Sequence, residues 1–403
     1  MMDDLAERIR RFVHEAARVE SMVRLLRELV EIPSGSGDAA GLDRVEAVMA
    51  RVLAAQGFPT SRLPGDVLLA RRTGRAGARP VLLVGHLDTV YPPGDLFSGL
   101  GATVDAGGRP MLRGPGAVDM KGGLVVLTAA LEALAAVGLL EQAPLTVVLN
   151  RDEEIGSPAS ADTIARISRD HALALVLEPG FDLDDGATTV VVARAGLARV
   201  EVRVEGAEAH AGNHPERGLS AVATAARMVG PIDALAAPAQ DLLVKVCTFH
   251  GGHRINQVPG AAVLGIDVRF AASAQWEASR AEIERIAAET ADHNPLTGAR
   301  TRATVAVLGL KPPMARFPEV EPFLGVLLES AAALGLRLVP GRRNGTSDGN
   351  HTARAGTPTL DGLGAVGVGM HVSGREAVRT SSLPERAALL ALALARLQGG
   401  HGD

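Results

Sequence analysis

From residue 5 to residue 31 apolar side chains recur at helical spacing among charges, Leu25, Leu29 and Ile32 among them. Pro33 and the cluster Ser34-Gly35-Ser36-Gly37 end this region. A second amphipathic helix is predicted from about Gly41 to Gln56, with Gly57 as its stop. The pattern then changes in kind. Val81-Leu82-Leu83-Val84, Leu145-Thr146-Val147-Val148-Leu149 and Leu173-Ala174-Leu175-Val176-Leu177 are short, continuous apolar runs. Strands buried on both faces of a parallel sheet read this way. Helical patterns separate the runs, so the chain is expected to be an α/β layer protein with a mixed, mostly parallel sheet flanked by helices. The stretch Leu124 to Leu140 is rich in Ala and Gly and carries Glu132, which predicts a buried helix rather than a membrane span.

Near residue 190 alternation replaces the continuous runs, as in Arg199-Val200-Glu201-Val202-Arg203-Val204. Strands over 190–204, a helix over about 218–228, strands near 242–249 and 262–270 and a helix near 274–290 make a small α+β unit with one face exposed. After about residue 306 the α/β character returns. The expected organisation is a discontinuous metal-binding catalytic domain, residues 1–193 and 307–403, with a lid and dimerisation domain inserted at 194–306.

Composition narrows the function. The 403 residues are 47% apolar and 22% charged, ordinary for a globular protein, and aromatic residues are only 2%, which disfavours a pocket built on ring stacking. The net charge is −5 and the basic residues are scattered among acids, so no nucleic-acid surface is expected. Cys247 is the sole cysteine, which rules out an intrachain disulfide and fits a reducing compartment. The start Met1-Met2-Asp3-Asp4 has neither the basic residues nor the apolar run of a signal peptide, so a cytoplasmic location is expected.

Ligands of open α/β sheets bind beyond the C-terminal ends of the strands. The three apolar runs lead respectively into Gly85-His86-Leu87-Asp88-Thr89, into Asn150-Arg151-Asp152-Glu153-Glu154 and into Glu178-Pro179. Between the first two lies Gly114-Pro115-Gly116-Ala117-Val118-Asp119-Met120-Lys121-Gly122-Gly123, a Gly-rich loop with an acid at its tip. Taken singly, His86 reads as a structural histidine, Asp119 as a helix cap and Glu153-Glu154 as surface. Together they read otherwise, because carboxylates gathered at buried strand ends repel one another unless a cation or proton lies between them. Imidazole and carboxylate donors suit zinc, and a shared carboxylate holds two ions about 3.5–4 Å apart.

These segments, with Ile32-Pro33-Ser34, His210-Ala211-Gly212, Gly345 to Asp348 and His371, resemble the zinc peptidase family of glutamate carboxypeptidase, acetylornithine deacetylase and succinyl-diaminopimelate desuccinylase. The resemblance runs over nearly the whole chain. It implies a di-zinc exopeptidase-like fold and hydrolysis of a peptide or N-acyl amino acid that bears a free carboxylate. It implies that His86, Asp119 and Glu178 hold one Zn2+ and that Asp119, Glu154 and His371 hold the other, with Asp119 as the bridge. Co2+ or Mn2+ suits the same donors. Asp88 would orient His86, and Glu153 would be the general base for the attacking water and then the acid for the leaving nitrogen. A non-proline cis peptide would follow Asp119. His210 would reach the partner subunit's site in a homodimer and stabilise the oxyanion, while Asn256 and Arg269 would bind the substrate's free carboxylate and Gly345 would lie beside the substrate. A plainer role for Arg269 is an ion pair with Asp267. In the glutamate carboxypeptidase branch an arginine follows the last lid strand. Here Gly309 takes that place, with Lys311 nearby, which puts specificity for C-terminal glutamate in doubt.

Two motifs point elsewhere. Gly362-Leu363-Gly364-Ala365-Val366-Gly367 has dinucleotide-fingerprint spacing, but the residues after it do not read as a helix. Gly345-Thr346-Ser347-Asp348-Gly349 has the form of a serine-hydrolase elbow after a strand at 336–339, with Asp361 and His371 following. That order is compressed into about 25 residues and leaves the acids and His86 without a role. The remaining alternative is a catalytically inactive relative that only captures a ligand. The intact base and ligand positions favour activity.

Overall fold

The apolar runs become neighbouring strands in this computed structural model, which describes residues 2–75, 77–95 and 97–398. Among those residues the chain divides into two compact units. The larger comprises Met1–Ala193, Arg316–Arg342 and Ser347–Asp403, the smaller Arg194–Ala315 and Arg343–Thr346.

The larger unit is built on a six-stranded sheet in the order Thr60–Leu63, Val67–Arg72, Leu145–Asn150, Val81–His86, Leu173–Val176, Thr359–Leu360. The last four pair in parallel, and Val67–Arg72 pairs antiparallel with both Leu145–Asn150 and Thr60–Leu63, so the sheet is mixed and mostly parallel. Every residue of Val81–His86, Leu145–Asn150 and Leu173–Val176 is buried, as continuous apolar runs require. The helix Lys121–Ala136 buries thirteen of its sixteen residues, so it is apolar all round because it is enclosed all round. No helix among the described residues is long and apolar enough to cross a membrane. The first helical region is two helices, Met2–His14 and Ala16–Val30, broken where Glu15 takes an extended ψ of 134°.

A second sheet in the larger unit has the order Gly367–Val368, Ala377–Arg379, Pro110–Arg113, Gly101–Val104, all antiparallel. It ties the segment before the Gly-rich loop to the segment after His371.

The smaller unit is a four-stranded antiparallel sheet in the order Leu243–Gly251, Ala261–Phe270, Gly196–Glu205, Arg302–Lys311. Its two central strands alternate buried with less buried positions, as a sheet covered on one face should. The helices Ala221–Asp233 and Ser273–Glu289 supply the cover, with Met228, Ile232, Trp276 and Ile283 against Val202, Leu264 and Val268. The boundary expected between residues 306 and 307 falls inside the strand Arg302–Lys311. Pairing continues to Lys311 opposite Leu197, so the smaller unit runs on to Ala315, and Arg343–Thr346 belongs to it as well. Gly345 therefore lies in the smaller unit.

Candidate active site

Sheet register brings the site together. His86 is opposite Asn150 and Val84 is opposite Val176, so His86, the turn at 152–154 and Glu178 emerge side by side from the C-terminal ends of three adjacent parallel strands. Asp152 shapes the turn by accepting from the amides of Ala159 (2.7 Å) and Ser160 (3.2 Å). Asp88 braces it from the other side, accepting from the amides of Glu153 (3.2 Å) and Glu154 (3.1 Å) and from Ser36 Oγ (2.7 Å).

The Gly-rich loop delivers Asp119 to the same edge. Gly116 holds a φ of +70°, a left-handed conformation suited to glycine. At Gly123 a Cβ would lie 2.2 Å from the Leu177 carbonyl oxygen, so only glycine lets this helix start approach the chain between the strand Leu173–Val176 and Glu178. The Asp119–Met120 peptide is cis. His371 arrives on a turn between Gly369 and Gly374, itself at a φ of +61°, an uncommon conformation for a residue with a Cβ and one often found at functional sites.

The Asp119 carboxylate stands between two imidazoles. His86 Nε2 is 3.2 Å from Oδ1 and His371 Nε2 is 3.1 Å from Oδ2. Each imidazole has a further carboxylate, Glu178 Oε1 at 3.5 Å from His86 Nε2 and Glu154 Oε2 at 3.2 Å from His371 Nε2. His86 Nδ1 faces Asp88, 3.0 Å from its carbonyl oxygen and 3.3 Å from its carboxylate. Burial pushes Glu178 up to about 8, with the charge of Asp119 adding to it, and pushes Glu154 up to about 7. Hydrogen bonds to Asp119 and Glu154 raise His371 to about 11. Burial opposes the charging of His86, but Asp119, Asp88 and Glu178 outweigh it and raise its pKa well above the ordinary value.

A crowd of acids that must share protons this way is suited to a cation. His86, Glu153 and Glu178 place donor atoms within 4.8 Å of one another, as do His86, Asp119 and Glu154. Glu154 Oε1 is buried and has no hydrogen-bond partner among the described residues, a cost of about 1–3 kcal/mol or more for a charged group unless an ion takes that lone pair. The donor set, imidazole nitrogen and carboxylate oxygen, fits a divalent metal of the zinc type.

The smaller unit gathers other predicted residues. The strand pair Ala209–His210 and Gln257–Val258 sets His210 opposite Gln257, and Asn256 accepts from the Ala211 amide at 2.9 Å, so the His210 and Asn256 loops are joined. His210 Nδ1 accepts from the amides of Gly212 and Asn213, both at 3.1 Å. That places the proton of the neutral ring on Nε2, which makes this nitrogen a hydrogen-bond donor. Arg269 pairs with Asp267 through Nε (2.8 Å) and Nη2 (3.1 Å), and Nη1 donates to the Asn344 carbonyl (3.2 Å). The ion pair with Asp267 is thus present, and it uses part of the five-donor guanidinium. Gly345 offers its carbonyl to Arg194 Nη1 at 3.1 Å.

Neither competing motif survives. Ser347 is completely buried, and its Oγ donates to Asp361 (2.6 Å) and accepts from the Gly349 amide (3.0 Å). It stabilises the start of the helix Gly349–Arg354, while His371 Nε2 faces Asp119, so no serine–histidine pair forms. Gly362 to Gly367 opens no helix and instead packs along the end of Leu173–Val176, the Leu363 amide donating to the Val176 carbonyl at 3.1 Å.

Sequence reasoning missed Glu376, which binds the Gly-rich loop, Tyr91, which donates to Glu376, and Ser36, which holds Asp88. An acid between Arg375 and Ala377 carries no local signal of burial.

The model of Peptidase family M20/M25/M40 matches residues 82–396. The chain is 29% identical to carboxypeptidase G2 of Pseudomonas sp. (strain RS-16) over 409 residues, covering 98% of this chain and 94% of that protein. It is 32% identical over 265 residues to a putative succinyl-diaminopimelate desuccinylase of Mycobacterium tuberculosis, covering 62% of this chain and 68% of that protein. The fold matches aminopeptidase PepT of Bacillus cereus (TM-score 0.75, 20% identity, 94% of this chain and 98% of that one). It also matches the M20 family metallo-carboxypeptidase Sso-CP2 of Sulfolobus solfataricus (TM-score 0.74, 16% identity, 94% and 99%). With a match over residues 82–396 and a cluster of metal-donor side chains at the strand ends, the chain belongs to peptidase family M20/M25/M40 and is a metal-dependent hydrolase of peptide or amide bonds.

Proposed function

We propose that the chain is a two-zinc hydrolase that cleaves the amide bond of a peptide or N-acyl amino acid bearing a free carboxylate. The observation that carries this reading is the Asp119 carboxylate with one imidazole on each oxygen, at 3.2 and 3.1 Å, each imidazole backed by a second carboxylate. His86, Asp119 and Glu178 are the ligands of one ion, and Asp119, Glu154 and His371 those of the other. Bound zinc would polarise the scissile carbonyl and lower the pKa of the attacking water.

The chain's own groups do the rest. Glu153 accepts a proton from the water as its oxygen bonds to the carbonyl carbon, then returns it to the nitrogen as the C–N bond breaks. Asp88 fixes the His86 ring and, through two amides, the turn that carries Glu153. His210 donates from Nε2 to the developing oxyanion. Arg269 and Asn256 hold the substrate carboxylate, with Gly345 beside it, and the guanidinium donors not used by Asp267 and Asn344 provide the contact. With Gly309 where the glutamate carboxypeptidase branch has arginine, no side-chain carboxylate is required of the substrate. A homodimer forms through the smaller unit. Its outer strand Leu243–Gly251 is largely exposed, and His210 serves the partner's site.

Amine release from a panel of dipeptides and N-acyl amino acids, with and without chelator, tests the reading. Activity should vanish with chelator and return with zinc, and chelator-resistant activity would overturn it. Glu153→Ala should lower kcat by about 10²–10⁴-fold, the range for loss of a general base, with both metals retained in elemental analysis. Loss of metal in that variant would make Glu153 a ligand instead. Its nearness to His86 and Glu178 makes that outcome worth measuring.

The proton sharing sets the pH dependence. Without metal, His371 keeps its proton below about 11 and Glu178 below about 8, and both must shed it to bind a cation. Protons are therefore released on binding, and apparent zinc affinity should fall as pH drops from 8 to 6, by about tenfold per unit for each proton released. Calorimetry in buffers of different ionisation enthalpy reads the number released. A pH-independent affinity would contradict the ligand assignment.

A further inference from the structure

We propose that Glu376, with Tyr91, is a positioning residue that fixes the loop delivering Asp119 and so sets metal affinity. The inference rests on the two-metal reading above. The Glu376 side chain is completely buried. Its Oε1 accepts from the amides of Val118 (2.8 Å) and Asp119 (2.9 Å), and its Oε2 from the Gly116 amide (3.2 Å) and the Tyr91 hydroxyl (2.6 Å). Four donors occupy the roughly four lone-pair sites of an ionised carboxylate. Three of them are amides of one loop, those of Gly116, Val118 and Asp119, converging on one anion, and the backbone of the proposed bridging residue is among them.

Glu376 also joins the two halves of the site. Its own carbonyl accepts from the Gly114 amide at 3.0 Å, at the start of the same loop. It follows His371 by five residues, on the chain leading into the strand Ala377–Arg379 that pairs with Pro110–Arg113. One side chain thus bears on the loop of Asp119 and on the segment that presents His371, the two residues 3.1 Å apart across the site. The charge matters as well as the shape. In Glu376→Gln one oxygen becomes an amide NH2, a donor facing donors, so two of the four contacts are lost without change in side-chain volume. Tyr91→Phe removes one contact and leaves the carboxylate and three amides in place.

A purely structural role would cost stability and leave the metals alone, so the test reads the metals. Wild type, E376Q and Y91F, each as the full chain, are stripped with chelator. They are then titrated with zinc against a chromophoric competitor, and with cobalt(II) for its visible absorption bands. Outer contacts to metal ligands are worth about 10–100-fold in affinity, and E376Q should lose that much, with shifted cobalt bands and an unchanged far-ultraviolet circular dichroism spectrum. Y91F should show a smaller loss in the same direction, about tenfold or less. Wild-type affinity and bands in either folded variant would overturn the proposal, and Y91F decides alone should E376Q not fold. A wild-type stoichiometry of one ion would sink the two-metal reading, and affinity for that ion in the variants would still decide the role of Glu376.

Discussion

Asp119→Asn is expected to leave a folded chain that holds neither metal firmly and whose turnover falls by at least about 10³-fold, since the metal supplies both activation of the water and charge stabilisation. The carboxylate has His86 on one oxygen and His371 on the other, with Glu178 and Glu154 behind them. Asparagine keeps the size but has one acceptor oxygen, so if Asp119 bridges two ions as proposed, the variant would turn an NH2 toward one of them and lose the negative charge they would share. The loss of affinity should exceed the roughly 10–100-fold seen when outer contacts are removed. Elemental analysis after gel filtration checks the metal. Thermal unfolding gives an independent reading, because a ligand at 100 times its Kd adds about 2.7 kcal/mol to the folded state, and that gain should be absent in the variant. A variant that keeps two ions and a tenth of wild-type turnover would remove Asp119 as the bridge.

What made this site legible in the sequence was the coupling of two local signals. Val81–Val84, Leu145–Leu149 and Leu173–Leu177 declare strands buried on both faces, and each is followed within three residues by a histidine or carboxylate. The rule that parallel strands present ligands at their C-terminal ends then places those side chains together without tertiary information. His371 had no such strand before it, and its place beside Asp119 came only through the family resemblance. The extent of the smaller unit was hard to read because Arg302–Lys311 is an outer strand with mostly exposed side chains, whose length is set by pairing to Gly196–Glu205 rather than by a hydrophobic run. The serine elbow misled in the opposite way. Its five residues are compatible with a buried helix start, and the Ser347–Asp361 hydrogen bond, with His371 turned to Asp119, separates the two roles. Glu376 was silent because a charged residue after Gly374-Arg375 looks like surface until the amides that satisfy it are seen. Buried charges of this kind are visible only once the backbone donors are placed.

His210→Ala is expected to lower kcat by about 10²–10³-fold, the scale for removing one oxyanion donor, with little change in KM and both metals retained. The reason lies in the ring's orientation. The amides of Gly212 and Asn213 both donate to Nδ1 at 3.1 Å, which leaves Nε2–H as a fixed, exposed donor rather than a free rotor. A donor aimed where charge develops acts on the transition state and hardly at all on the bound substrate, so the loss belongs in kcat. An equal rise in KM at constant kcat would make His210 a substrate contact instead. Whether the donor serves its own subunit or the partner's is settled by mixing two inactive variants, Glu153→Ala and His210→Ala, under conditions that exchange subunits. If His210 acts across the dimer, each mixed dimer rebuilds one complete site, with Glu153 from the His210→Ala subunit and His210 from the other. Activity then recovers to about a quarter of wild type at equal mixing, since half the dimers are mixed and half their sites are complete. If His210 acts within its own subunit, every mixed dimer holds one site lacking the base and one lacking the donor, and mixing restores nothing.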